Sequence, residues 1–189
     1  MAEGPVRDMA TPGREQRSLP SVARLQLLLF DAARLGRADM ISPLHHAGVD
    51  LEARDPAGYT ALILASYHGS LETTQALIDA GTQIDTPDFA RGNTALMGVA
   101  FKGYGEILRC LLKAGAQVDC RNKAGQTALM MAALFGHTAI VEQLIAAGAD
   151  VLCVDIAGNS ARSVAAAQHN EAMIRLLDLA TPRREVVDG

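Results

Sequence analysis

The chain has 189 residues, a formal net charge of −4 and an isoelectric point of about 5.7. Apolar residues make up 49% of it and charged residues 20%, which is the composition of one folded domain. The acidic balance argues against nucleic acid or an anionic membrane as the main partner, and no apolar run is long enough to cross a bilayer.

The chain begins with a segment rich in glycine, proline and charge, residues 1–21, which lacks the apolar stretch of a secretory signal. We expect a disordered tail there and a second one over residues 181–189. Between them one phrase occurs three times, as GYTALILASYHG, GNTALMGVAFKG and GQTALMMAALFG. The phrases begin at residues 58, 92 and 125, so they are 34 and 33 residues apart. A period of this size indicates a stacked array of repeats.

This pattern resembles the ankyrin repeat, in which a hairpin turn is followed by two antiparallel helices. The Thr-Pro-Leu-His phrase of that family occurs here as Thr-Ala-Leu followed by Ile63, Met97 or Met130. The resemblance covers residues 22–180 and implies an all-α repeat solenoid with hairpin-like turns. Its five units are an N-terminal cap at 22–54, repeats at 55–87, 88–121 and 122–154, and a C-terminal cap at 155–180. The Thr-Ala-Leu form of the motif is similar to that of small bacterial ankyrin-repeat proteins.

Residue types at the unit boundaries agree with this register. A hydroxyl residue at the start of each predicted first helix is suited to accept a backbone N–H. These residues are Thr60, Thr94, Thr127 and Ser160. Because Ile63, Met97 and Met130 replace the histidine that bonds between loops in the family, cohesion between units should depend more on apolar packing. In the end units, Pro43 should shorten or kink a second helix, and Arg162 replaces a repeated leucine, as suits a solvated end.

The third unit is irregular. It carries one extra residue between Asp88 and Gly92, which lengthens its hairpin tip. Gly98 lies inside its first helix, where glycine costs about 1 kcal/mol relative to alanine. This glycine indicates either an adaptable recognition centre or a close approach between neighbouring helices.

Residues suited to catalysis or metal binding are few. His45 and His46 form the one histidine pair, and we expect His45 to be a half-buried cap residue rather than a ligand. A structural role is also favoured for His68, His137 and His169, which lie near helix-ending turns. Acidic or amide residues recur where one unit passes to the next, and they suit turn N–H groups better than calcium. These residues are Glu52, Asp55, Asp85, Asp88, Asp119 and Asn122.

The sequence contains no phosphate-binding loop, nucleophile elbow or zinc-helix motif. We therefore expect no enzyme activity, no metal and no cofactor. Cys120 and Cys153 lie one period apart in neighbouring units, and packed helices about 8–10 Å apart exceed the ~7 Å Cα limit of a disulfide. Cys110 falls among apolar residues of a second helix. Reduced thiols and a cytoplasmic protein are the expectation.

The resemblance also implies a binding surface, because ankyrin folds grip partners with the hairpin tips and the exposed side of the first helices. The residues at those positions are Tyr59, Tyr67, His68, Phe89, Arg91, Asn93, Phe101, Lys102, Lys123, Gln126, Leu134 and Phe135. Five of the chain's seven aromatic residues are among them. Exposed aromatics are typical of interfaces. The alternative is that Phe101 and Phe135 pack between adjacent first helices.

The sequence therefore predicts a monomeric adaptor that binds another protein on its concave face, with neither nucleic acid nor membrane as partner. Aromatic side chains would insert into the partner, and basic groups would meet some acidic groups on it. We expect alanine at Phe101 and Phe135 to abolish binding with little loss of stability. The alternative function is an accessory or regulatory subunit of a bacterial enzyme, for example an oxidative-stress enzyme such as a catalase.

Overall fold

A computed structural model describes residues 20–181, and almost all of the two predicted tails, 1–21 and 181–189, lies outside these residues. Within 20–181 the chain forms ten α-helices in five antiparallel pairs. Their bounds are α1 Val22–Leu35, α2 Ala38–His46, α3 Ala61–Tyr67, α4 Leu71–Asp79, α5 Ala95–Lys102, α6 Gly105–Lys113, α7 Ala128–Leu134, α8 Thr138–Ala146, α9 Ala161–Ala167 and α10 Glu171–Ala180. The all-α repeat fold predicted from the sequence is confirmed.

The predicted helix starts are also confirmed. The hydroxyls of Thr60, Thr94 and Thr127 accept the N–H three residues ahead at 3.3–3.4 Å, and Ser160 forms a full capping box with Ser163. At the other end of α5, Gly103 adopts a left-handed conformation with φ 79° and donates its N–H to the Val99 carbonyl. The chain can then reverse into the second helix of the pair.

The helices stack in two rows. The odd-numbered helices, which we call inner helices, pack on one another, and the even-numbered outer helices form a parallel row behind them. The leucines repeated along the inner row are buried, as are those of the outer row. Arg162 occupies the equivalent place in α9, where it is exposed and pairs with Asp178 of α10 at 2.6 Å. This bond lowers the pKa of Asp178, so the last pair has a charged outer side.

Two features of the first unit differ from expectation. Pro43 does not shorten helix α2, which runs through it and has nine residues, the same number as α4. The carbonyl that loses its partner belongs to Asp39, which lies on the exposed side with Pro43, so water can hydrate it. His45 is exposed rather than half-buried, because no earlier unit covers its side of α2, whereas the adjacent Leu44 is buried.

Each pair of helices is joined to the next by a hairpin-like turn that we call a finger. Fingers 1 to 4 comprise residues 51–60, 84–94, 118–127 and 151–160. A carboxylate or amide at the centre of each finger accepts the turn's own N–H groups, as predicted, and in finger 2 Asp88 accepts three, from Arg91, Gly92 and Asn93. That third bond accommodates the extra residue of finger 2.

A second set of acidic residues joins neighbouring units. We call Glu52, Asp85 and Asp119 the latch carboxylates, because each accepts a backbone N–H from the following unit. The donors are the N–H groups of Gln83 at 2.7 Å, Gln117 at 3.1 Å and Asp150 at 3.1 Å. These bonds were not predicted: the carboxylates were expected to serve their own turns, and apolar packing was expected to supply most of the cohesion between units.

Gly98 has room for a side chain. A Cβ built there would lie 3.5 Å from the Tyr67 ring, an ordinary contact. We expect Gly98→Ala to stabilise the protein by about 1 kcal/mol, through helix propensity, and to raise the thermal midpoint by about 2–4 °C. The matched control is Gly103→Ala, which should destabilise, since its φ is 79° and its Cβ would lie 2.8 Å from the His137 ring. Thermal unfolding by circular dichroism measures both, and a lower midpoint for Gly98→Ala would contradict the packing described.

Candidate functional site

A groove of about 760 Å³ runs along inner helices α3, α5 and α7 beneath fingers 1 to 3. We call it the inner groove. Of the twelve predicted contact residues, nine line it: Tyr59, Tyr67, His68, Arg91, Asn93, Phe101, Gln126, Leu134 and Phe135. The other three, Phe89, Lys102 and Lys123, lie outside its lining. The prediction thus selects one continuous surface, although contact with a partner there stays a prediction.

Three rings form a row along this groove, which we call the aromatic ladder: Tyr67, Phe101 and Phe135. The Tyr67 and Phe101 centroids are 6.2 Å apart in a stacked arrangement, and those of Phe101 and Phe135 are 4.4 Å apart, edge to face. Phe101 is half-buried between its neighbours, whereas Tyr67 is 40% exposed and Phe135 47% exposed. The rings therefore pack on one another and still present apolar area to the groove, so both interpretations of Phe101 and Phe135 describe part of the geometry.

The residues outside the groove lining make contacts within the chain. The Lys102 ammonium lies 5.1 Å from the centre of the Tyr67 ring, where the ring quadrupole attracts it. The Lys123 ammonium donates to the Phe89 carbonyl, and the Arg54 guanidinium lies 4.2 Å from the centre of the Phe89 ring. The contacts of Phe89 with Arg54 and Lys123 link fingers 1 to 3, and the contact of Lys102 with Tyr67 links α5 to α3.

The carboxylates of the groove have partners within the described part of the chain, whereas one of its guanidinium groups does not. Arg34 donates to Asp55, whose side chain is only 2% exposed, and Asp88 is saturated by the N–H groups of its finger. The exposed Arg91 side chain has no hydrogen-bond or ion-pair partner among residues 20–181. The groove therefore offers an unpaired guanidinium beside carboxylates that are already occupied.

Arg34 falls within the predicted N-terminal cap, 22–54, and was not among the predicted contact residues, although it lines the groove. The signal was available, because Arg34, Tyr67, Phe101 and Leu134 follow one another at 33, 34 and 33 residues and so occupy the same repeat position. Met131 also lines the groove, where it is half-buried, and it was not among the predicted contacts. Its flexible thioether can adjust to a partner, whereas Met97 behind it is 1% exposed and belongs to the core.

The histidine at the end of the ladder is structural, as predicted. The Nε2 atom of His137 lies 3.0 Å from the Phe101 carbonyl, and its ring packs against Gly103. Among residues 20–181, no group of three or more His, Cys, Asp and Glu side chains is arranged to hold a metal. The groove's chemistry is that of apolar contact, hydrogen bonding and charge pairing.

The three thiols are free and partly exposed. Cys110, predicted among apolar residues, has a polar partner, since its Sγ lies 3.1 Å from Oε1 of Gln75. Burial is the main cause that raises the pKa of Cys110, Cys120 and Cys153 above its ordinary value. At neutral pH each thiol is therefore a poorer nucleophile than a free cysteine.

A family model described as ankyrin repeats (3 copies) matches residues 29–122 and 97–182, which together cover more than half of the chain. The chain belongs to the ankyrin-repeat family, as the resemblance indicated. Members of this family generally act as protein–protein interaction modules and are typically not enzymes. A comparison with curated proteins found no match. None of the helices within residues 20–181 is long and apolar enough to span a membrane.

The raised thiol pKa values predict slow alkylation. At pH 7, iodoacetamide should modify all three cysteines more slowly than N-acetylcysteine, and the rates should rise as the pH passes above 9, because the thiolate is the reacting form. Mass spectrometry of timed samples gives the rate for each site. In guanidinium, which unfolds the protein, all three cysteines should react at the rate of N-acetylcysteine. A cysteine of the folded protein that reacts faster than N-acetylcysteine at pH 7 would show that burial does not raise its pKa.

The aromatic ladder predicts unequal and coupled losses of stability. Phe101→Ala should cost about 2 kcal/mol and Phe135→Ala about 1 kcal/mol, since Phe101 is the more buried ring. Because the rings pack on each other, these losses exceed the small loss expected from the sequence. Because the two rings touch, the double variant should lose about 0.5–1.5 kcal/mol less than the sum. Urea unfolding of the four proteins measures the coupling. Strictly additive losses would show that the rings do not support each other.

Proposed function

We propose that this protein binds a partner protein in the inner groove and acts as an adaptor with a preformed recognition surface. The observation that carries the proposal is the aromatic ladder, which keeps Tyr67 and Phe135 about half exposed at the mouth of a groove. Large exposed rings at such a place are typical interface anchors. The family's general role in protein–protein interaction supports the same function.

The partner segment carries apolar side chains and at least one acidic group. Apolar side chains fit between the rings and the thioether of Met131, which is half-buried at the groove. The acidic group pairs with Arg91, because the groove's own carboxylates are occupied by Arg34 and by turn N–H groups. Charge complementarity of this kind gives specificity and speeds association.

The scaffold is rigid where the partner binds. The amide of Asn122 donates to Asn93 at 2.9 Å and to Gln126 at 3.2 Å, which fixes two polar side chains at the groove. Backbone hydrogen bonds between the fingers hold their relative positions. Ordering costs on binding then fall mainly on the partner. We propose that the free protein is a monomer, and its free thiols suit a reducing compartment such as the cytoplasm.

The test is differential capture of a partner by three variants of the full chain. Phe135→Ala removes an anchor and should weaken capture at least tenfold, as hot-spot residues do. Arg91→Glu reverses the unpaired charge in the groove and should weaken capture similarly. Arg109→Glu is the matched control, because it makes the same change on outer helix α6, away from the groove.

Immobilised proteins are exposed to a lysate of the source cells, and quantitative mass spectrometry compares bound proteins. A partner retained by wild type and Arg109→Glu but lost by Phe135→Ala and Arg91→Glu supports the proposal. Equal capture by all four proteins, or loss confined to Arg109→Glu, overturns it. Circular dichroism of each variant separates loss of the surface from loss of the fold.

A further inference from the structure

The last finger exposes a row of aliphatic side chains. Leu152 is 60% exposed, Val154 45% and Ile156 78%, and they occupy alternate positions along finger 4. We call these three residues the terminal row. End units of repeat arrays normally present a polar outer side. An apolar row at this end therefore calls for a functional explanation.

The equivalent positions in the inner fingers are mostly polar and serve cohesion between units. Leu152 lies 33 residues after Asp119, in the series of latch carboxylates that starts with Glu52. Val154 lies 33 residues after Arg121, whose guanidinium donates to the Val154 carbonyl at 2.8 Å. Ile156 corresponds to Lys123 of finger 3 and to Phe89 of finger 2, where the position is already apolar. Compared with finger 3, finger 4 has aliphatic side chains at all three positions.

The backbone of finger 4 continues the same interface. In the inner fingers the carbonyls of Gly58, Arg91 and Ala124 accept an N–H from the next finger, at 3.2, 2.9 and 3.0 Å. Ala157 stands one period after Ala124, and no backbone N–H within residues 20–181 donates to its carbonyl. The edge of finger 4 thus presents an open acceptor beside the terminal row.

We propose that the terminal row is a second docking site, separate from the inner groove, which receives an extended segment of a partner polypeptide with apolar side chains at alternate positions. The segment adds to finger 4 as each finger adds to the one before it, with a backbone N–H on the Ala157 carbonyl. Main-chain pairing and alternate side-chain contacts are the two components of strand addition. The site goes beyond the proposed function because it shares no residue with the inner groove.

Area and charge select this occupant. Three side chains offer far less than the roughly 800 Å² per partner of a stable complex, so a second copy held by the row alone would dissociate. A short strand needs less apolar area because it also pairs its backbone. Asp150 precedes the row and Asp155 lies within it, between Val154 and Ile156. Turn N–H groups already bond to both carboxylates, so neither is open for a direct ion pair, but their net negative charge favours basic residues between the apolar ones of the segment.

The probe is a blocked heptapeptide of alternating lysine and valine, titrated into the ¹⁵N-labelled full chain and followed by NMR. The signals of residues 152–158 should shift saturably, while those of Tyr67, Phe101 and Phe135 stay in place. The triple variant Leu152→Asp, Val154→Arg, Ile156→Lys carries the side chains that finger 3 has at these positions, so finger 4 can accommodate them. It should bind at least tenfold more weakly with an unchanged thermal midpoint.

The control is Leu35→Asp, an aliphatic-to-charged change at an exposed residue of α1, which should bind like the wild type. Several outcomes overturn the proposal: no saturable shift up to millimolar peptide, shifts centred on the aromatic ladder, or undiminished binding by the triple variant. It also fails if sedimentation shows a dimer that the triple variant abolishes, since a second copy then covers the row. Contacts from residues 182–189 to the row in the free protein overturn it too, because the chain would fill its own site.

Discussion

The structure depends on one constraint: a single helix pair cannot bury its apolar side without a neighbouring pair. Each inner helix packs on the next. The latch carboxylates fix the number of residues from one unit to the next, because each one accepts an N–H of the following unit. A carboxylate oxygen that must meet one particular N–H allows little sliding between units. Finger 2 nevertheless contains an extra residue, because Asp88 gathers three N–H groups and absorbs the added length inside the finger.

A fixed spacing also separates what builds the array from what it presents. Residues that cap the inner helices or fill the core recur with the same chemistry in the three middle units. Residues at the groove position change from Arg34 to Tyr67, Phe101 and Leu134, while their backbone positions stay equivalent. A partner can thus be selected by substitutions at a few positions without disturbing the stack. The terminal row follows the same logic, since substitution of polar groups there changes an edge and not the fold.

Much of the fold could be predicted from the sequence because it depends on local residue types at a fixed period. Thr60 starts a helix because its own hydroxyl reaches the N–H of Ile63, and no distant residue is needed. The predictions that failed depend on which side of a helix faces water, and the local sequence does not show this. Pro43 is tolerated and His45 is exposed because the first unit has one open side. The latch carboxylates and the Lys123 contact were missed because they join residues 31 to 34 positions apart. The groove residues could be predicted from their repeat positions, but the packing of their rings on one another in the free protein could not.

The last helix pair differs from the middle pairs in its neighbours. It has a single neighbour and supplies no residue to the inner groove, whose lining runs from Arg34 to Phe135. In an array of nearest-neighbour contacts, such an end unit opens at a lower free energy than the middle. The last helix pair can therefore unfold, starting from α10, while the inner groove keeps its shape. Local unfolding of the end unit need not interrupt binding in the groove.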